Sequence, residues 1–360
     1  MIPILKYKND WPHWKELLAE SITTPAGLSR HFPVDRDAVR QVSARYPMRI
    51  NPYYLSLIRE PDDPLWKQAV PDLAEIHDGQ ETDDPLAEEK LSPVPNLIHR
   101  YPDRVVFEVS SRCALFCRHC MRKRKVGHPF GVTGKTIQAG TDYIRKTPSV
   151  RDVILSGGDP LLLEDERLRE ILAYLREIPH VEIIRIHTRV PCTLPQRVTP
   201  ELAQMLRAFH PLYINTHFNH PREITPEAGA ACALLADAGI PLGCQSVLLR
   251  GVNDTPAVMK RLMQKLLMIR VKPYYIHQGD LVQGTGHFHT SPETGLRIMD
   301  ALRGHTSGMC VPQYMIDLPG GGGKIPLLPE YILEKKRDFW RIRTYDGRVV
   351  KYPLTVRGGD

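Results

Sequence analysis

Long hydrophobic runs are missing from this 360-residue sequence. No stretch approaches the roughly 18 consecutive apolar residues of a membrane span, and the opening MIPILKYKNDW lacks the apolar run of a secretory leader. A cytoplasmic protein without membrane contact is the expectation. No repeat period appears either, and no low-complexity tract apart from GGGG at 320–323, so solenoid arrays are excluded. Cysteine is scarce and odd in number, seven in a chain too large to need disulfide staples. Three of the seven crowd into eight residues, which argues for a thiolate site in a reducing compartment. The basic run RHCMRKRK at 118–125 lacks the interleaved rings on which single-stranded nucleic acid stacks.

What is present describes a globular protein. With 42% hydrophobic and 25% charged residues the chain can bury a large core, and its length allows two or three domains. A formal net charge of +7 favours anionic partners, either phosphate-bearing cofactors or nucleic acid, and charge alone does not choose between them.

Two regions differ in pattern. Residues 1–96 are irregular, with a helical stretch around WPHWKELLAESI and an acidic, proline-bearing run from Pro61 to Pro95. Within it, 78–90 (DGQETDDPLAEEK) reads as a solvated connector. This part is expected to be an N-terminal helical cap without visible chemistry. From Val105 onward, short apolar runs alternate with amphipathic stretches, as in βα units around a parallel sheet. The candidate strands are VVFEV, DVILS, EIIRIH, LYINTHF, GCQSVLL, KPYYIH and CVPQYMI. Helices are expected near 136–146, 164–176, 199–209, 225–238, 256–269 and 291–302, several opening on Thr-Pro or Ser-Pro, which suits an N-cap followed by proline. Six or seven units predict an α/β fold, a full or partial β/α barrel. A doubly wound sheet is the rival, and either architecture gathers catalytic groups at the C-terminal ends of its strands.

Directly after the first barrel-like strand, SSRCALFCRHCMRKRK sets Cys113, Cys117 and Cys120 at C-x3-C-x2-C. Three thiolates can hold a [4Fe-4S] cubane and leave its fourth iron open to a small ligand. Zinc would want a fourth Cys or His nearby, and His119 is badly placed between two of the cysteines to supply it. The motif resembles that of radical S-adenosylmethionine (SAM) enzymes, in which the methionyl amino and carboxylate groups chelate the open iron. Cys192, Cys232, Cys244 and Cys310 are scattered and read as buried small apolar residues.

The second strand ends in Ser156, Gly157, Gly158 and Asp159. Glycines there let backbone approach a ligand, and the acid can accept from an ammonium group. The segment resembles the amino-group-binding loop of the same enzymes, with aspartate replacing the usual glutamate. Near the C-terminal end, DLPGGGGKIP fails as a P-loop because its spacing is wrong and Ile325 replaces the required Ser or Thr. A lysine on a glycine-rich turn suits a Schiff base with pyridoxal phosphate instead.

Taken together, the three cysteines, GGD at 157–159, NTHFNHP at 215–221, QSVLLRGVND at 245–254, PYYIHQGDL at 273–281, RGHTSG at 303–308 and DLPGGGGKIP at 317–326 closely resemble the lysine 2,3-aminomutase family. The likeness runs from about residue 97 to residue 331. It implies a partial (β/α)6-type barrel over 97–318, with the N-terminal extension before it and a short C-terminal segment, 319–360, carrying the cofactor lysine. It also implies a [4Fe-4S] cluster, SAM, pyridoxal phosphate and a reducing electron donor. By matching motif, Lys324 is the Schiff-base lysine, Arg122 pairs with the substrate α-carboxylate, and Asp280 with Asp317 holds the distant ammonium of lysine. Gln245 and His217 match groups near the cofactors, and Arg100 with Arg104 matches an arginine pair near the pyridoxal phosphate.

The activity so implied moves the α-amino group of L-lysine to the β-carbon. Two carboxylates in a closed pocket want a cation between them, which speaks against glutamate and leaves arginine or a protein-borne lysine as alternatives. In a plainer reading Asp280 caps a turn and Asp317 only shapes the entrance to the glycine loop. No cysteine follows Cys310, and Thr255 stands where well-known members carry a metal-binding cysteine, so their inter-subunit zinc is not expected. A homo-oligomer stays open, as does the β-lysine that shorter relatives supply for an elongation factor. The rival in another class is a non-catalytic metal-cluster or zinc protein binding nucleic acid through the basic run.

Overall fold

The computed structural model describes residues 11–354 except 78, 80, 81, 129 and 130. Asp78, Gln80 and Glu81 of the expected connector therefore lie outside the described residues.

Among the described residues, five short helices come first: α1 (Trp14–Ala19), α2 (Pro25–Leu28), α3 (Arg36–Arg45), α4 (Pro52–Leu57) and α5 (Pro64–Ala69). All five open on a side chain that accepts a backbone N–H from the first turn, namely His13, Thr24, Asp35, Asn51 and Asp63. Their buried faces (Leu17, Leu28, Tyr54, Leu65) belong to the same core as the strands that follow.

Nine strands then form one sheet in sequential order: β1 (Leu97–Tyr101), β2 (Arg104–Ser110), β3 (Asp152–Gly157), β4 (Ile183–Thr188), β5 (Leu212–Thr216), β6 (Leu242–Leu248), β7 (Lys272–Gln278), β8 (Gln313–Leu318) and β9 (Gly323–Leu327). From β2 to β8 every pairing is parallel, and β1 and β9 flank them antiparallel. The crossovers are α6 (Gly134–Arg145), α7 (Asp165–Arg176), α8 (Val190–Thr193) with α9 (Pro200–Arg207), α10 (Pro226–Asp237), α11 (Pro256–Met268) and α12 (Pro292–Leu302). A doubly wound sheet needs its strand order to reverse. The order here never does, which decides for the barrel.

Local chemistry explains the helix starts. The hydroxyls of Thr199, Thr225 and Thr255 accept the N–H three residues on, and a proline follows each, pre-set for the first helical position. In α7, Leu168, Ile171, Leu172 and Leu175 form one buried stripe. Alternation sorts the strands: Val153 and Leu155 of β3 pack outward under the helices, while Asp152, Ile154 and Ser156 face the barrel interior.

Between β1 and β9 the barrel is closed by side chains. Arg100 of β1 reaches Asp317 of β8 at 2.7 Å and the Gly321 carbonyl at 3.3 Å. The Tyr101 hydroxyl accepts the Lys324 backbone N–H at 3.0 Å. Three further strands, β10 (Ile332–Lys335), β11 (Phe339–Arg343) and β12 (Val349–Pro353), make a small antiparallel sheet tied to α12 by Arg343 and Asp300 at 3.1 Å. Among the described residues, no helix is long and apolar enough to cross a membrane.

The connector departs from its expected solvated state. Residues 82–91 lie as a strap across the C-terminal end of the barrel. Thr82 bridges to Val282, the Pro85 carbonyl accepts from Gly320 N at 2.8 Å, and Leu86 and Glu88 are buried. The acidic side chains of this strap answer the basic run across from it. Arg124 pairs with Asp84 and Glu89, Lys125 with Glu89 and Glu108, and Arg122 with Glu88 and Glu108. Arg118 and Lys123 are buried on Glu75 at 2.5 and 2.7 Å. The run is thus compensated by the protein's own carboxylates, which removes the basic surface that the nucleic-acid rival required.

Candidate active site

One cavity of about 770 Å³ occupies the barrel interior and reaches the C-terminal ends of the strands. All the candidate residues named from the sequence line it: Arg100, Arg104, Cys113, Cys117, Cys120, Arg122, Ser156, Gly157, Gly158, Asp159, His217, Gln245, Asp280, Asp317 and Lys324.

The cysteine loop leaves the end of β2 and is held by the cap. Asn51 Nδ2 donates to the carbonyls of Ala114 (3.0 Å) and Thr193 (2.9 Å), and Phe116 N donates to the Arg49 carbonyl. Burial and the neighbouring Cys120 and Cys117 push the Cys113 thiol well above its ordinary pKa. Burial, then Cys117, pushes Cys120 to about 11. Such thiols stay protonated at neutral pH unless a metal cation takes the proton's place. No three Cys, His, Asp or Glu side chains among the described residues converge on a single-ion site. A cubane, with each thiolate on a different iron, needs the sulfurs spread apart.

Glycine serves the second loop differently from the sequence expectation. A Cβ on Gly158 would stand 2.5 Å from the Arg112 carbonyl oxygen, and one on Gly157 would press as hard on that of Ser110. The two glycines thus let the end of β3 press against the start of the cysteine loop. The Asp159 carboxylate accepts from Thr188 Oγ1 (2.6 Å), Arg189 N (2.8 Å) and Leu161 N (3.1 Å). Burial raises it to about 6 against these hydrogen bonds.

Arg122 is held edge-on by Glu88, Nε to Oε2 at 3.0 Å and Nη2 to Oε1 at 2.7 Å, while Nη1 donates to Ser156 Oγ at 3.1 Å. One N–H on each terminal nitrogen has no partner in this set, and these two form an edge suited to a carboxylate. Lys324 is one residue inside β9, beyond the glycine turn on which the sequence placed it, and stands in register with Asp317. Its ammonium is paired with Asp317, which Arg100 also contacts. Burial and the repulsion of Asp317 raise Asp280 to about 7, against the pull of Lys324.

Of the cavity residues, His277, Asn219, Arg185 and Tyr275 carried no assignment from the sequence, whereas His217 did. His277 is driven to about 3 by burial and by Lys324, and His217 to about 4 by burial and Arg189, so both imidazoles are neutral. His119 has a defined tautomer. Val247 N donates to Asn219 Oδ1, so Asn219 Nδ2 must be the donor to His119 Nε2 at 3.1 Å, which puts the proton on Nδ1. That Nδ1 is buried with no hydrogen-bond partner among the described residues, and His119 lines the cavity. Arg185, paired with Asp152 at 2.8 Å, lines the opposite end with Arg104 and Tyr275. His119, His217, Asn219, Tyr275 and His277 sit within the matched segments, and only the fold brings them together with Arg185 around one cavity.

Comparison with known proteins agrees with this arrangement. The radical SAM superfamily model matches residues 107–262, and a family model described as lysine-2,3-aminomutase matches 299–355. An L-lysine 2,3-aminomutase of Clostridium subterminale is 50% identical over 350 residues, 95% of this chain and 84% of the relative. The chain belongs to the lysine 2,3-aminomutase family. An L-lysine 2,3-aminomutase of Methanococcus maripaludis is 47% identical, covering 96% of this chain and 82% of the relative. A glutamate 2,3-aminomutase of Clostridioides difficile is also 47% identical, over 96% and 83%. Membership makes the protein an isomerase of amino acids, and implies a [4Fe-4S] cluster, SAM and pyridoxal phosphate. The residues present fit all three. Buried thiols need a metal, the unpartnered His119 Nδ1–H awaits an acceptor, and a lysine amine shares the cavity with Arg104 and Arg185.

Proposed function

We infer that this aminomutase acts on L-lysine, moving its α-amino group to the β-carbon to give β-lysine. The observation that carries the substrate is the state of Asp280. Its carboxylate lines the cavity beside Asp317, and burial with that repulsion costs it ionisation. A cation entering between the two acids relieves both penalties, whereas a second carboxylate adds to them. The glutamate-specific relative is as similar overall as some lysine enzymes, so this local charge balance, and not identity, argues for a cationic side chain.

In this reading Cys113, Cys117 and Cys120 hold the cluster, and Lys324 holds the pyridoxal phosphate, with Arg104 and Arg100 at its anionic end. When bound, cluster and SAM supply a carbon radical, and pyridoxal phosphate supplies a C=N bond across which nitrogen can migrate. The chain's part is positioning. The free edge of Arg122 takes the α-carboxylate, its other edge fixed by Glu88. Asp280 and Asp317 take the far ammonium, so the substrate is gripped at both ends and its β-carbon has one location. Asp317 is shared. It holds the Lys324 ammonium in the cofactor-free chain and is released for substrate once that amine is engaged elsewhere. Neutral His217 and His277 line the reacting space without adding positive charge, and Leu86 of the strap adds a buried apolar side chain to the lining.

An anaerobic assay of the reconstituted protein against lysine, arginine, ornithine and glutamate tests this by following β-amino acid formation. Lysine is expected to be preferred by at least tenfold over the others. Preference for glutamate would refute the charge argument, and absence of any β-amino acid would refute the whole reading.

A further inference from the structure

Arg189, just beyond β4, is nearly fully buried and has no assigned part in the reading above. Its guanidinium reaches the cysteine loop, where Nη1 donates to Cys117 Sγ at 2.8 Å. The side chain is pinned. Nη2 donates to Gln68 Oε1 (2.6 Å) and Glu223 Oε1 (2.7 Å), and Nε donates to the His217 carbonyl (3.4 Å). Glu223, itself fully buried, is fixed in turn by the Tyr54 hydroxyl (2.8 Å), Asn219 N (2.6 Å) and His220 N (2.9 Å). Buried ion pairs add little stability over well-packed apolar side chains of similar volume. A network from four parts of the chain that delivers one cationic N–H to one sulfur therefore finds its reason at the sulfur.

We propose that Arg189 is a positioning residue that sets the reduction potential of the cluster by a charged hydrogen bond to Cys117 Sγ, a bond that Glu223 moderates. The inference rests on the cluster reading of Cys113, Cys117 and Cys120. One added electron makes the cluster one charge more negative, so a cationic donor on a thiolate stabilises the reduced form more than the oxidised form. Burial keeps the effect from being screened. Glu223 acts on the same guanidinium with the opposite sign. Cleaving a sulfonium needs a strongly reducing cluster, yet an external donor must still be able to fill it. Opposed charges behind a single sulfur fix where that compromise falls.

The test is an EPR-monitored redox titration of anaerobically reconstituted wild type, Arg189→Gln and Glu223→Gln, each with its iron counted. At the potential where half the wild-type cluster is reduced, Arg189→Gln is expected to show a reduced-to-oxidised ratio about tenfold lower, a shift of about 59 mV for one electron. Glu223→Gln is expected to show a higher ratio. Fully loaded variants that keep the wild-type ratio, or move in the same direction, overturn the proposal. Where Arg189→Gln fails to hold iron, Glu223→Gln decides alone, and an unchanged or lower ratio overturns it. Wild-type protein that forms no cluster is a different result, which removes the underlying reading.

Discussion

Replacing Asp280 with asparagine removes a charge that the folded protein holds at a cost. The carboxyl lies at about 7 against an ordinary 3.8, raised by burial and by Asp317. Each pH unit of that difference is worth ~1.4 kcal/mol, so keeping the group ionised costs roughly 4 kcal/mol at most above pH 7. The sign follows from proton binding. Between pH 4 and 7 the folded protein binds this proton and the unfolded chain does not, so the group's ionisation lowers wild-type stability as pH rises, and the loss is complete above 7. An amide in its place has no such dependence. Urea unfolding at pH 5 and pH 8 is therefore expected to show Asp280→Asn gaining on wild type by about 2 to 3 kcal/mol between the two pH values. Saturating lysine should close that gap for wild type, because its ammonium offsets the charge, and leave the variant unmoved. In the same reading, wild-type KM for lysine rises about tenfold for each pH unit below 7. An equal stability difference at both pH values, or a variant that lysine stabilises as well as wild type, would refute the reasoning.

Lys324→Ala is expected to keep its iron and its cluster absorbance while losing isomerisation and the pyridoxal absorbance that shifts on borohydride reduction; full turnover in that variant would contradict the assigned role. Glu75→Gln leaves Arg118 and Lys123 buried without a counter-charge and should cost about 3 to 5 kcal/mol, read from the urea midpoint. Burial pushes the Glu75 carboxyl up, but Arg118 and Lys123 hold it below its ordinary 4.5. Its stabilisation is therefore present above that value and is lost as pH falls further, a loss the glutamine variant should not show. Gly158→Ala drives a methyl to within 2.5 Å of the Arg112 carbonyl and should displace the cysteine loop, measured as fewer irons per chain after reconstitution than wild type.

The barrel was legible because each βα unit carries its own punctuation. The helices expected at 225–238, 256–269 and 291–302 appear as Pro226–Asp237, Pro256–Met268 and Pro292–Leu302. The Thr-Pro pairs fixed their starts, and parallel strands buried on both faces read as continuous apolar runs. The small strands β10 to β12 went unread because they are short, half-exposed and rich in charge. The strap was misread for a definite reason. DDPLAEEK looks solvated until its partners at 122–125 come opposite it, and those partners lie over thirty residues away. The same non-locality hid Arg189, Gln68 and Glu223, none of which sits in a motif. Lys324 was found by its glycines, but its place on β9 follows from register with Asp317, which composition does not encode.

The seam between β1 and β9 has a consequence of its own. Backbone ladders close the rest of the wall, but this joint depends on Arg100, Asp317, Tyr101 and Lys324, of which three are also expected to handle cofactor or substrate. Occupancy and mechanical integrity are thereby written into the same few atoms. Whatever claims Asp317 or Lys324 also loosens or re-knits the joint, so filling the chamber should be felt as a change in the rigidity of the whole cylinder.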